Sequence, residues 1–304
     1  MFGADTLQRD IAYLAAKRVI DDNALNQHVW QVLWKQPLPA EPMVLEAGAG
    51  IGTMLIRLLE QARLPAGRYL TLDRQAAYLT EAERRHRAWA ADQGIGIDWR
   101  PDGLHLTARG LDLQVEYRQA DISLAQPVVP AGSVDLLLAH ALLDLVDLPA
   151  VLPRLLDCLA PGGWFYFSLN FDGVTSFQPE IDPDLDRQIE DLYHRSMDQR
   201  RVGGAASGDS RTGRHLLGML VHLNQEILAA GGSDWVVHPR RGGYLPEERR
   251  LVEAVLEAVD HELAGHPAID HQAFADWLRA RRAQLEAGTL VYLAHQLDVV
   301  GRRR

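Results

Sequence analysis

The segment Met43-Val44-Leu45-Glu46-Ala47-Gly48-Ala49-Gly50-Ile51-Gly52-Thr53 constrains this chain more than any other stretch. An apolar run enters it, three alternating glycines follow, and residues 53–61 then carry a helical pattern. Strand, tight loop and helix in that order expose backbone amides at a helix N-terminus. Glycine is needed because the turn calls for positive φ and because a side chain would block whatever approaches those amides.

Downstream, strand-like and helical stretches alternate. Residues 68–72 predict a second strand ending in Asp73, and a helix follows over 75–91. Two roles are open to Asp73. Its carboxylate can accept hydrogen bonds from both ribose hydroxyls of a nucleoside, or it can cap the next helix. Three short runs, 97–100, 104–108 and 111–117, are separated by Pro101-Asp102-Gly103 and Arg109-Gly110 and predict a small hairpin leading into a third strand. Gln119-Ala120-Asp121-Ile122 comes next. Residues 134–139, apolar apart from Asp135, predict a central parallel strand covered on both faces. His140 stands at its carboxyl end, the side on which open α/β sheets bind ligands and where Gly50, Asp73 and Asp121 also converge. A helix over 149–159 stops at Leu159-Ala160-Pro161-Gly162-Gly163, since proline and paired glycine end a helix and reverse the chain, and a fifth strand spans 164–169.

Two helices, 6–20 with Thr6 as N-cap and about 24–35, precede the glycine strand. Tyr13 and Trp30 on them can serve as lid contacts or as core. Weak periodicity over 170–209, with Pro179, Pro183 and a glycine-rich stretch after Val202, predicts an exposed, mobile connection around a polar helix at 184–200. A helix over 211–230, a sixth strand over 234–238, two amphipathic helices within 246–287 and a final strand over 289–299 complete the reading.

Glu46 followed by Gly48, Gly50 and Gly52, Asp73 after the second strand, Asp121-Ile122 after the third, and Leu159 to Gly163 before the fifth occur in order within residues 43–170. Jointly they resemble the class I S-adenosylmethionine-dependent methyltransferases. The resemblance implies an α/β fold with a seven-stranded, mostly parallel sheet in the order 3-2-1-4-5-7-6, N-terminal helices, and a helical insert between the last two strands. On that basis residues 1–40 form a helical lid, 41–172 a Rossmann-like cofactor core, and 173–304 a substrate-side insert, helical cap and the last two strands. The implied cofactor is S-adenosyl-L-methionine. Glu46 and the loop of Ala47, Gly48, Gly50 and Gly52 would hold its methionine end, Asp73 the ribose, and Asp121 with Ile122 the adenine; Arg74 and His140 would also touch the cofactor. A nicotinamide-dependent oxidoreductase shares the loop, yet its Gly-x-Gly-x-x-Gly fingerprint needs glycine where Thr53 stands. An aminopropyltransferase and a non-catalytic cofactor-binding protein are the other rivals.

Charge narrows the partners. A net charge of -10 argues against nucleic acid, whose backbone is bound by clustered Lys and Arg. No apolar run reaches the roughly 18 residues of a membrane span and no signal peptide is evident, so the expectation is a cytoplasmic enzyme, monomer or homodimer, acting on a small molecule. Cys158, the only cysteine, falls in an apolar helix where burial is expected; neither a disulfide nor a cysteine-based metal site follows, and no metal is expected. For the acceptor, no Asn-Pro-Pro-Tyr-like tetrapeptide follows the fourth strand, which leaves O- or carboxyl-methylation favoured. His140 is the candidate base for a hydroxyl, with His215 and Tyr244 in reserve. Ser210 can cap a helix bearing Arg211 and Arg214, so both arginines are candidates to read an anionic group, or else surface partners of Asp209 and Asp182. Tyr244 joins them as a substrate-side candidate.

Overall fold

The computed structural model describes residues 4–124 and 126–304; residues 1–3 of the expected lid lie outside them. Helices α1 (Ala4–Ala24) and α2 (Gln27–Trp34) lead into β1 (Met43–Ala47), α3 (Thr53–Glu60), β2 (Ala66–Asp73) and α4 (Ala76–Asp92). Strands β3 (Gly96–Arg100), β4 (Gly103–Ala108), β5 (Leu111–Gln119) and β6 (Val134–His140) follow, then a 3₁₀ turn (Leu143–Leu145), α5 (Leu148–Cys158) and the long β7 (Leu159–Gln178). The C-terminal part comprises α6 (Pro183–Gln199), a hairpin of β8 (Arg201–Val202) and β9 (Ala205–Ala206), α7 (Thr212–His222), β10 (Glu226–Gly232), β11 (Trp235–Val237), α8 (Pro246–Leu263), α9 (His271–Glu286) and β12 (Val291–Arg302).

Ten strands make the main sheet, in the order β10-β12-β7-β6-β1-β2-β5-β4-β3, with β11 added to β12. Strands β5, β2, β1, β6 and β7 pair in parallel, while β12 runs antiparallel to both β7 and β10. The expected order 3-2-1-4-5-7-6 is therefore present as β5-β2-β1-β6-β7-β12-β10. The expected count of seven is corrected to ten and the sheet is more mixed, because the β3–β4 hairpin extends it antiparallel beyond β5 and β11 adds a short rung.

Strand parity assigns each residue to a face. Leu45, Leu137, Phe165 and Phe167 belong to one core, covered by Val151, Leu152 and Leu155 of α5 and Leu216 and Leu220 of α7. Their neighbours Val44, Leu136, Leu138 and Tyr166 point to the other core, under Val29 and Leu33 of α2 and Met54, Leu55 and Leu58 of α3. A third core lies around the far half of β7 and β12, where Phe177 and Tyr292 meet α6, α8 and α9. Asp186 of α6 is buried inside it, accepting from Arg281 Nη2 and Trp277 Nε1 at 2.5 Å each, and Arg281 itself is fully buried.

Several expected boundaries move. The helix expected over 211–230 starts at Thr212 and stops at His222, because Asn224 adopts φ 55° and the amides of Asn224 and Gln225 return to the carbonyls of Val221 and Leu220. That is a Schellman termination. Ile227 and Leu228 consequently lie in β10, which is the sixth strand, and the expected strand over 234–238 is the short β11. The last strand runs to Arg302 rather than 299. The fifth strand, expected to end at 169, continues to Gln178 because β12 pairs with it along its length. The stretch expected to be an exposed connection includes Ser207 and Ser210, which are 8% and 2% exposed and bonded to Leu145 O and Asp198 Oδ1.

Candidate active site

The loop after β1 carries three left-handed glycines, with φ of 67° at Gly48, 54° at Gly50 and 74° at Gly52. Their surroundings differ. A Cβ on Gly48 would lie 2.4 Å from Leu142 Cδ1, and one on Gly52 would lie 2.4 Å from His86 Nε2. At Gly50 it would meet only Leu14 Cδ1 at 3.8 Å, on the wall of an open cavity. Two glycines thus let the loop pack, and the third leaves room in front of it.

Asp73, at the end of β2, holds the loop. Its Oδ2 accepts from Gly50 N at 2.9 Å and its Oδ1 from Gln75 N at 2.8 Å, so one carboxylate ties the loop to the start of α4. Burial raises its pKa above the usual carboxylate value against these bonds, which favour the charged form. Behind the loop, His86 of α4 is fully buried, 2.8 Å from the Gly52 carbonyl through Nε2 and 2.7 Å from the Tyr117 hydroxyl through Nδ1. A carbonyl can only accept, so Nε2 carries the proton and Nδ1 accepts from the tyrosine. Burial lowers the imidazole to about 4, which keeps it neutral. His86 was not among the sequence candidates, although it shares the buried face of α4 with Leu79, Ala82 and Ala90.

One cavity of about 580 Å³ opens at the carboxyl ends of β1, β2, β5 and β6. Gly48, Gly50, Asp73, Arg74, Asp121, Ile122 and His140 all line it. The cavity continues without a break into a second chamber walled by Tyr13 of α1, Phe171 of β7, Tyr193 of α6, Trp235 of β11 and Tyr292 of β12. Trp30, the other lid candidate, is core: it is 3% exposed and its Nε1 donates to Gln61 Oε1 at 2.9 Å. Two non-glycine residues in the wall, Ala141 and Leu169, have φ of 50° and 56°. Such strain persists only where the surroundings impose it. Here Asp298, fully buried, accepts from Leu169 N at 2.8 Å, Asn26 N at 2.9 Å and Tyr166 Oη at 3.1 Å.

Other expected site residues lie elsewhere. Glu46 is 2% exposed and turned away from the cavity; it accepts from the Tyr69 hydroxyl at 2.7 Å, and burial raises it to about 8. Ala47 is fully buried in the core, and Gly52 is covered by His86. Arg214 is drawn onto β7, where Nε donates to Asp172 Oδ1 at 2.8 Å and Nη2 to Asp172 O at 3.1 Å. Ser210 does not cap the helix, since Arg211 occupies the N-cap position without a side-chain cap bond. Neither arginine lines the cavity, nor does Tyr244, whose hydroxyl donates to Leu290 O at 2.7 Å. His215 bonds Asp209 at 2.7 Å outside it.

His140 reaches the cavity, but both its nitrogens are engaged. Nδ1 lies 2.8 Å from Ser168 Oγ and Nε2 3.3 Å from Asp21 Oδ2. Asp21 is shared further, accepting from Lys17 Nζ at 2.7 Å and from Trp235 Nε1 at 3.0 Å. Burial lowers His140 to about 4, whereas the Lys17 ammonium and the His140 bond hold Asp21 near 2 in spite of burial. The imidazole is therefore neutral, with Nε2 donating to Asp21 and Nδ1 accepting from Ser168. The network pins α1 to the ends of β6 and β7, where Tyr13, Leu14 and Lys17 of α1 line the cavity.

Residues 45–167 match the family model described as "Methyltransferase domain". No curated protein matches the chain. Among solved structures, a Bacillus halodurans protein inferred to be a methyltransferase shares 12% identity over 91% of this chain and 99% of its own, with a TM-score of 0.53. An Anaeromyxobacter dehalogenans protein inferred to be a type II methyltransferase shares 18% over 91% and 96%, with a TM-score of 0.49. The Streptomyces coelicolor geranyl diphosphate C-methyltransferase, solved with S-adenosyl-L-homocysteine, shares 14% over 90% and 74%, with a TM-score of 0.45. With the strand order, the glycine cradle open at Gly50 and the family match in agreement, residues 45–167 match a methyltransferase domain and the chain has the class I methyltransferase fold.

Proposed function

We propose that this domain transfers a methyl group from S-adenosylmethionine to the hydroxyl of a small aromatic acceptor. The observation that carries the reading is the continuity of the cavity, which runs from the glycine loop to a chamber walled by Tyr13, Phe171, Tyr193, Trp235 and Tyr292. Bound at the glycine end, the cofactor supplies an electrophilic methyl group on a sulfonium. Gly48 and Gly50 would face its methionine end, Asp73 its ribose, and Asp121 with Ile122 its adenine. The chain's own contribution is orientation: a methyl donor and an acceptor held in line gain several kcal/mol over free encounter. Aromatic walls suit a flat acceptor through stacked and edge contacts, and α1 would cover part of the bound pair.

His140 serves as a positioning residue in this reading and not as the base, since its nitrogens are committed to Ser168 and Asp21. Two measurements test the proposal. Calorimetric titration with S-adenosylhomocysteine should show binding that Asp73→Ala weakens at least about tenfold, the loss of roughly 1.4 kcal/mol expected for one good charge-assisted bond. Screening small phenols for release of S-adenosylhomocysteine should give turnover that Tyr193→Ala reduces while cofactor affinity holds. Turnover confined to aliphatic acceptors would refute the aromatic assignment.

A further inference from the structure

The aromatic chamber contains two charged side chains whose bonding capacity is unspent within the chain. Asp144 stands in the 3₁₀ turn just after the strained Ala141, lines the cavity, and has a buried Oδ1 without any hydrogen-bond partner among the described residues. A buried carboxylate oxygen left in that condition costs about 1–3 kcal/mol or more, so its retention calls for a partner that arrives from outside. Arg200, immediately after α6, lines the same chamber, and its guanidinium makes no hydrogen bond or ion pair among the described residues. Neighbouring charges are already committed. Lys17 is paired with Asp21 at 2.7 Å, and Asp209 takes His215 at 2.7 Å and the Arg211 amide at 2.9 Å.

We propose that Asp144 and Arg200 together read the acceptor, which is an aromatic hydroxy acid: Arg200 takes its carboxylate, and Asp144 takes the proton of its attacking hydroxyl. The inference rests on the proposed methyl transfer and names its substrate class. In the step, the acceptor oxygen forms a bond to the methyl carbon as the carbon–sulfur bond breaks, and that electron pair stays on sulfur. The hydroxyl proton moves to Asp144, leaving an aryl methyl ether, a neutral thioether and a carboxylic acid side chain. A guanidinium suits a carboxylate because its planar fork can donate two parallel bonds. Burial, opposed first by a bond from its own backbone amide and then by Lys17 and Arg200, and reinforced by Asp209, raises Asp144 to about 6, so it is ionised at neutral pH yet basic enough to accept a proton. The Tyr13 hydroxyl also stands near it, its pKa raised by burial first and then by Asp21, Tyr193 and Asp144.

The test uses the full chain saturated with S-adenosylhomocysteine and titrated calorimetrically with 4-hydroxybenzoate, 4-hydroxyphenylacetate, phenol and 4-cresol. The two acids should bind at least about tenfold more tightly than the uncharged phenols, and Arg200→Met should abolish that preference while leaving phenol binding unchanged. Asp144→Asn should keep acid binding within about threefold but lower turnover with S-adenosylmethionine about 100-fold or more, with partial rescue by Asp144→Glu. In the wild type the rate should fall as pH drops through about 6, and the asparagine variant should lack that limb. Equal affinity for acids and phenols, a preference that survives Arg200→Met, or an unchanged pH limb in Asp144→Asn would overturn the proposal. Failure of S-adenosylhomocysteine itself to bind overturns the cofactor placement beneath it, and is told apart by that measurement.

Discussion

Gly50 and Gly52 share a loop and a left-handed backbone, yet their replacement by alanine should fail in opposite ways. At Gly52, φ 74° costs an L-residue about 1–2 kcal/mol, and the added Cβ would sit 2.4 Å from His86 Nε2 and 2.9 Å from Ala82 Cβ. His86 has no free space, being fully buried, so relief means displacing the imidazole and weakening its bonds to Gly52 O and Tyr117 Oη. Overpacking and lost buried bonds add about 2–4 kcal/mol, for a total of about 3–6 kcal/mol. An unfolding entropy of about 2.1 cal/mol/K per residue over 304 residues gives about 0.6 kcal/mol/K, so Gly52→Ala should lower Tm by about 5–9 °C. At Gly50 only the backbone term applies, about 1–2 kcal/mol or about 2–3 °C, because its Cβ would enter the cavity. Cofactor affinity should instead fall at least about tenfold, as the methyl group occupies the space in front of the loop amides. Thermal melts read the first effect and calorimetry the second. A Gly52→Ala melt within 2 °C of wild type refutes the His86 packing argument, and unchanged affinity in Gly50→Ala refutes the cradle.

Three other outcomes follow from the geometry. His86 has a folded value of about 4 against 6.5 when unfolded, so its contribution, on the order of 3 kcal/mol, is present above pH 6.5 and lost as pH falls toward 4; His86→Gln should flatten this part of the stability profile, and comparing the two proteins cancels the opposite trend of Glu46, whose raised pKa favours the folded state as pH falls from 8. Arg281→Met leaves Asp186 buried without its ion partner and should cost about 3–5 kcal/mol in denaturant titration, with binding of S-adenosylhomocysteine intact in the protein that remains folded. Arg214→Met should leave the acceptor KM unmoved, because Arg214 lies off the cavity, and should cost about 1–3 kcal/mol in denaturant titration, because the buried Asp172 loses its guanidinium partner and keeps backbone donors such as the Arg214 amide.

What was legible in the sequence is what local backbone chemistry dictates. The loop at Gly48, Gly50 and Gly52, the carboxylate of Asp73 and the Asp121-Ile122 pair are each placed by a strand end a few residues away, and all of them except Gly52 do line the cavity. The Schellman stop at Asn224 was local too. It was passed over because the apolar residues Ile227 and Leu228 continue a helical spacing as readily as they fill a half-buried strand, and only pairing with β12 distinguishes the two. His86 carries a local signal as well, a histidine on an otherwise apolar helix face, although its contact with Gly52 depends on how α4 packs against the loop.

The acceptor chamber is a different kind of object. Its walls come from α1, β7, α6, β11 and β12, so Tyr13 and Tyr292 meet across nearly the whole chain, and no spacing in the sequence records that meeting. The arginines show why. Arg214 stands in the first turn of α7, where free amides beside a guanidinium fit an anion site, whereas Arg200 follows the carboxyl end of α6, where the free groups are carbonyls. Asp172 sets Arg214 apart: the unexpected continuation of β7 past residue 169 carries this carboxylate to the start of α7, where it captures Arg214, whereas Arg200 lines the chamber beside Lys17, which is paired with Asp21. In the proposed reading, acceptor specificity would depend on a strand extended because β12 pairs with it, a contact between segments more than 100 residues apart. Substitutions along that extension should therefore retune the chamber while the cofactor end, held by its own local bonds through Asp73, remains in place.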